Sequence, residues 1–160
     1  MKLPSKIEII GIDPGLVHTG LVHMVLDVEE GSLSSTEVLF DGMPEEEIAD
    51  YVRGLSPMAH IYMEAYRTRS AWNSDPEMQA GIARIKKAAP RVEIVTNMGV
   101  KKVVTNELMK LLGVYTFTQK SHHQDLRSAA RIGLMGALKV EPFNRALYKI
   151  ATKKLEGGAA

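Results

Sequence analysis

At 160 residues, 45% of them hydrophobic, the chain is long enough to bury the core of one globular domain without disulfide or metal staples. It has no cysteine, which excludes disulfides, thiolate zinc sites and cysteine nucleophiles, so any metal must be held by Asp, Glu, His or carbonyl oxygens. The net charge of +1 hides an asymmetry: residues 1–83 carry 5 Lys/Arg against 14 Asp/Glu, and residues 84–160 carry 15 against 5. A strongly basic half points to a polyanionic partner, most simply nucleic acid, unless the two halves only neutralise each other across one compact unit.

No apolar run approaches the ~20 residues of a membrane span, and Met1–Ser5 lacks the apolar core of a secretory signal. A cytoplasmic location and no membrane partner are therefore expected. A single domain over residues 1–156 with a flexible tail at 157–160 is expected, since no repeat or linker interrupts the chain.

The first element is an apolar strand from Ile7 that ends on Asp13. Ile7, Ile9, Ile10 and Ile12 are β-branched on both faces, which suits a central strand buried on both sides. Pro14-Gly15 breaks it. An acid at the end of a buried strand is costly unless it is paired or holds a metal, so Asp13 is a candidate site residue. By itself it is read equally well as a turn cap bonded to nearby amides.

His18–Val28 and Leu33–Phe40 read as second and third strands, joined by short turns and hence antiparallel. Their His18 and His23, like His60 further on, read as strand residues without a functional role. Asp41–Pro44 opens a helix whose apolar stripe is Ile48, Tyr51, Val52 and Leu55. Glu45, Glu46 and Glu47 sit at its positive end, so helix electrostatics explains the acid cluster. Ala59–Glu64 is a fourth strand, reached through a helix and therefore parallel to the first. It too ends on a carboxylate. Residues 65–74 read as an exposed loop, and Ser74-Asp75-Pro76-Glu77 as a capping box opening a helix to about Ala89.

Val92–Val95 is a short fifth strand. One helix is then predicted from about Met98 to Leu112, burying Val100, Val103, Val104, Leu108, Leu111 and Leu112, with Gly113 as its stop. Val114–Lys120 is loop or short strand. Ser121–Gln124 is a second capping box, starting a helix to about Lys139, and Asn144–Leu155 is a last amphipathic helix. The fold class this order predicts is α/β: a five-stranded mixed sheet of three antiparallel and then two parallel strands, flanked by helices.

In such sheets functional groups gather at the carboxyl ends of parallel strands. Asp13 and Glu64 end two strands predicted to be neighbours, and like charges so close repel unless a divalent cation lies between them. His122 and Asp125 share a face in the first turn of the capped helix. Three carboxylates and one imidazole are mostly hard oxygen donors, which favours Mg²⁺ or Mn²⁺ over zinc. Each has a plainer reading: Glu64 could pair with Arg67 or Arg69, and Asp125 could simply favour the positive end of its helix. Of His122 and His123, one is expected to face solvent.

Element order and motifs together resemble the ribonuclease H-like nucleases, and within them the RuvC-type Holliday junction resolvases. The matching pieces are Gly11-Ile12-Asp13-Pro14-Gly15 with Thr19-Gly20, Met63-Glu64, Gln79-Ala80-Gly81, Val100-Lys101-Lys102-Val103-Val104-Thr105, and His122-His123-Gln124-Asp125 followed by Ala129-Ala130. Where the family carries a Gly- and Lys-rich stretch after Thr105, this chain runs Asn106-Glu107-Leu108 straight into the helix end. The departure fits a divergent branch of the kind phages encode, working in a bacterial cell or an infected host.

The resemblance implies that Asp13, Glu64 and Asp125 are metal-binding acids and that His122 fills a fourth ligand position or moves the proton of the attacking water. It implies two Mg²⁺ ions per site, roughly 4 Å apart and bridged by Asp13, with Mn²⁺ able to substitute and no small-molecule cofactor. Lys101 and Lys102 would meet DNA phosphates, with Tyr66 working at the junction centre (Trp72 second) and Arg67 and Arg69 as further contacts. The implied activity is structure-selective endonucleolytic cleavage of four-way junctions, and other branched DNA, by a homodimer acting in recombination or phage DNA processing. Two other readings remain open. One is a catalytically silent nucleic-acid-binding module on the same fold; the other is a phosphate-binding domain of the actin and sugar-kinase type, for which 160 residues are few.

Overall fold

The computed structural model describes residues 4–65, 76–96, 99–118 and 122–158. Strands Lys6–Asp13 (β1), His18–Asp27 (β2), Ser32–Asp41 (β3), His60–Ala65 (β4) and Glu93–Thr96 (β5) form one sheet in the order β3-β2-β1-β4-β5. β1 pairs antiparallel with β2 and parallel with β4, while β2–β3 is antiparallel and β4–β5 parallel. This is the mixed sheet that the strand order predicts, with the β-branched β1 at its centre. Ile9, Ile10 and Ile12 are fully buried there, Ile9 on one face and Ile10 and Ile12 on the other.

The helices cover both faces. Glu45–Arg53 (α1) and Pro76–Ala88 (α2) lie on the side of Ile10, Ile12, Ile61 and Met63. Val100–Val103 (α3), Asn106–Leu111 (α4), His123–Leu138 (α5) and Glu141–Gly158 (α6) build the other side with Ile9, Val22, Met24 and Tyr62. The last helix is longer than the predicted 144–155 segment and takes in the first two residues of the expected tail. No helix among the described residues is long and apolar enough to cross a membrane.

α5 lies directly on β1, β2 and β4 because small residues meet along the seam. A Cβ built on Gly11 would stand 1.8 Å from the Ala129 carbonyl oxygen, and one on Gly136 would meet the Tyr62 ring at 2.3 Å. Helix and strand backbones approach this closely only where one partner has no side chain.

The single helix expected over 98–112 is instead two. Val104 (φ −102°, ψ 83°) and Thr105 (φ −73°, ψ 159°) leave the helical region, and Thr105 caps α4 by accepting from Leu108 N–H at 3.1 Å. The β-branched run Val103-Val104-Thr105 has low helix propensity, and a Thr side chain competes for the backbone that a continuous helix would use. Thr105→Ala is expected to cost about 1 kcal/mol, read as a lower urea midpoint with an unchanged m-value. A stability equal to wild type would mean that the cap contributes nothing.

His23 and His60 do find partners. His23 bridges Glu8 (2.9 Å) and the Tyr51 hydroxyl (3.3 Å), and His60 packs edge-on against Phe143 with ring centroids 4.7 Å apart. Burial pushes the His60 imidazole below its ordinary pKa, partly opposed by Glu93.

Candidate active site

Asp13 closes β1 and Glu64 is the penultimate residue of β4. The parallel register pairs Ile12 with Met63, so one further step sets Asp13 level with Glu64 on adjacent strands, about 4.8 Å apart backbone to backbone. Gly11 faces α5, and side chains alternate along a strand, so Asp13 faces α5 as well. Tyr62 meets Gly136 of α5, which places Glu64 on that same face. Both acids are buried, at 8% and 7% exposure. Their donor chemistry fits a hard divalent cation.

The turn that follows Asp13 is tied down. The Thr19 hydroxyl donates to the Gly42 carbonyl at 2.6 Å and accepts from Gly15 N–H at 3.2 Å, which stitches the β1–β2 turn to the end of β3. Thr19→Val keeps the shape and removes both bonds. It is expected to cost about 2 kcal/mol, measured by chemical denaturation; no change would mean that the hydroxyl does not hold the turn.

The N-terminal end of α5 comes to the same place. A Cβ on Gly20, the residue paired with Asp13, would lie 2.9 Å from the Asp125 carbonyl oxygen, so the first turn of α5 sits above the strand pair. Asp125 is half-exposed, with one carboxylate oxygen 3.7 Å from His122 Nδ1. His122 packs edge-on against His18 at 4.6 Å between centroids, and His18 Nδ1 lies 3.7 Å from Asp41. His122 occupies the N-cap position of α5 without a side-chain cap bond, and Ser121 of the expected capping box lies outside the described residues.

Asp13, Glu64 and the turn that carries Asp125 and His122 are thus on one side of the sheet, at one end. Among the described residues, however, no three His, Asp or Glu side chains are disposed as the ligand set of a single ion. Lys101 and Lys102, on α3, line a cleft together with Glu64. Tyr66, Arg67, Arg69 and Trp72 lie outside the described residues.

No protein-family model and no curated protein matches the chain. Among solved structures it is similar to the Thermus thermophilus RuvC structure, with 19% identity, 82% of this chain and 96% of that one covered, and a TM-score of 0.51. It also resembles the large terminase nuclease from thermophilic phage G20c, at 12% identity, 84% and 90% coverage and a TM-score of 0.45. The fold is ribonuclease H-like.

Three residues near the acids carry no obvious mark in the sequence. His18 stands in β2, and its ring lies 4.6 Å from that of His122 where β2 and the first turn of α5 come close at Gly20. Ser128 and Arg131 lie one and two turns beyond Asp125 on α5 and line the cleft beside Glu64. Ser128, three residues from Asp125, shares a side of the helix with it; Arg131, six residues on, is turned roughly a third of a circle away from Asp125 and had no such signal. The Arg131 guanidinium is pulled below its ordinary pKa by burial and by Arg127, while Tyr115 and Glu64 pull the other way; it stays charged.

Proposed function

We propose that the chain is a metal-dependent endonuclease that hydrolyses phosphodiester bonds in branched DNA, with four-way junctions as the preferred substrate. The observation that carries this reading is the pair of buried carboxylates, Asp13 and Glu64, level on adjacent central strands and facing α5, whose first turn bears Asp125 above the Asp13–Gly20 pair. Asp13 and Glu64 are the residues that would hold magnesium, or manganese in its place, with Asp125 and His122 completing the set for two ions. Bound there, the metal supplies an activated water and charge stabilisation for the leaving oxygen.

The chain's own groups do the rest. Asp13 and Glu64 are held by β1 and β4, so their positions are set by the rigid part of the fold. His122, beside Asp125, would take or return a proton. Lys101 and Lys102, exposed on α3, hold the phosphate backbone, and Tyr66, Arg67 and Arg69, which come after β4 in the sequence and lie outside the described residues, are further DNA contacts on this reading. Residues 1–156 act as one nuclease domain. Cutting a four-way junction symmetrically needs two such sites, hence a homodimer, acting in the cytoplasm in recombination or phage DNA processing.

The test is incubation of the purified protein with fluorescently labelled four-way, three-way and flap DNA in Mg²⁺ or EDTA. Nicking of the four-way junction in Mg²⁺ and none in EDTA supports the reading; equal cleavage of all three substrates removes the junction preference. A silent nucleic-acid-binding module is favoured by one observation, the lack of a three-ligand set among the described residues. Tight binding without nicking in Mg²⁺ would establish it instead.

A further inference from the structure

The cleft beside Glu64, about 420 Å³, has a buried cation in its wall that the site described so far does not use. Arg131 is 8% exposed. Its Nε donates to the Val104 carbonyl at 3.1 Å and its Nη2 donates to Asn106 Oδ1. The first of these acceptors exists because the helix is broken: in a continuous helix the Val104 carbonyl would take the Leu108 N–H, which goes to Thr105 Oγ1 instead. The break at Val104-Thr105 therefore fixes the guanidinium from behind and leaves its remaining donors for the cleft that it lines.

The surroundings are wrong for a purely structural arginine. Arg127 lies one helical turn earlier, hooked to the Tyr115 carbonyl at 2.6 Å and stacked 3.9 Å above the Tyr115 ring. Like charges at i and i+4 disfavour a helix, and Lys101 and Lys102 add two more cations at the mouth of the same cleft. Glu64 offsets only part of this. A planar fork held from one side, in a cleft rimmed by lysines, matches a phosphate group in shape and charge.

We propose that Arg131, with Lys101 and Lys102 at the lip, binds a backbone phosphate of nucleic acid adjacent to the bond positioned at Asp13 and Glu64. Arg131 grips this phosphate and the lysines guide it in; the phosphate itself is not cleaved. The choice of nucleic acid as the polyanion rests on the nuclease reading, but the binding can be measured without cleavage.

The experiment is fluorescence anisotropy of a labelled DNA duplex and a labelled four-way junction with the full chain in EDTA, over a series of salt concentrations. Arg131→Gln is expected to weaken binding about tenfold near 0.1 M salt and to reduce the slope of log K against log[salt] by about 1. Arg131→Lys keeps the slope, because the charge remains. A folded Arg131→Gln protein with the wild-type slope, even one with a lower melting temperature, makes Arg131 a strut between α5 and α4 and overturns the proposal. If Arg131→Gln does not fold, the Nε–H NMR signal of Arg131 in the wild-type chain decides: a shift on titration with the duplex supports the site, and no shift overturns it. Wild-type protein that binds DNA but never nicks it defeats the nuclease reading and leaves this inference standing. Wild-type nicking with an unaltered Arg131→Gln slope does the reverse.

Discussion

Asp13→Asn is expected to abolish Mg²⁺-dependent nicking of a labelled four-way junction, lowering the rate by about 10³-fold or more. A single group aimed at developing charge in a dry site is worth about 10²–10³ in rate, and Asp13 is expected to do more, because on the proposed reading it would hold the ions as well as act on the transition state. Asn preserves shape and hydrogen-bonding capacity but removes the charge. Asp13 is 8% exposed, so water cannot make up the loss. A second readout separates loss of chemistry from loss of fold. A cation that binds only the folded chain raises its stability by RT ln(1 + [L]/Kd), about 2.7 kcal/mol at a hundredfold excess over Kd. Wild-type protein should therefore melt at a higher temperature in Mg²⁺ than in EDTA, and the Asn variant should not. Nicking by Asp13→Asn at the wild-type rate would sink the assignment of this residue.

The two acids were legible in the sequence for a simple reason. A strand β-branched on both faces has to be central, and a carboxylate at its end has to be accounted for by something other than the core. The helix-connected return to Met63-Glu64 then made the second strand parallel to the first, which alone fixes Asp13 and Glu64 as neighbours. The order of strands followed from connection lengths, since short turns force antiparallel pairing and a helix permits parallel.

What could not be read depends on contacts between distant positions. Thr105 is as acceptable inside a helix pattern as at its cap, and only the side chain's bond to Leu108 N–H tells the two apart. Arg131 is anchored by a carbonyl 27 residues away that the break sets free. His18 looked like a plain strand residue because nothing local says that the ring of His122 will lie 4.6 Å from it. Gly133 and Gly136 would each weaken an isolated helix by roughly 1 kcal/mol against Ala. In the folded chain they are the surface by which α5 reaches the sheet.

That seam makes Gly11→Ala the substitution with the largest expected effect on stability. The added Cβ would stand 1.8 Å from the Ala129 carbonyl oxygen and 2.8 Å from Gly133 N, where real Cβ contacts stay beyond 3.0 Å. Both obstacles are backbone atoms, so no rotamer change relieves the clash, and α5 must lift off β1 by more than an ångström. Ordinary overpacking costs about 1–3 kcal/mol; a clash that only displacement of a whole helix relieves should exceed that, about 4 kcal/mol, a large part of a typical domain's roughly 5–15 kcal/mol. Gly133→Ala should cost less, because its nearest obstacle, at 2.7 Å, is the end of the flexible Met24 side chain. Gly31→Ala should cost only about 1 kcal/mol, since nothing lies within 4 Å of its Cβ and just the positive φ of 66° is strained. Urea midpoints for the three variants should fall in that order. Any molecules of Gly11→Ala that do fold should cleave poorly, because lifting α5 carries Asp125 and His122 away from Asp13, and a 1 Å misplacement costs about 10²-fold in rate. A Gly11→Ala protein as stable as Gly31→Ala would mean that α5 does not lie on β1 at this distance, and the placement of Asp125 over the Asp13–Gly20 pair would fall with it.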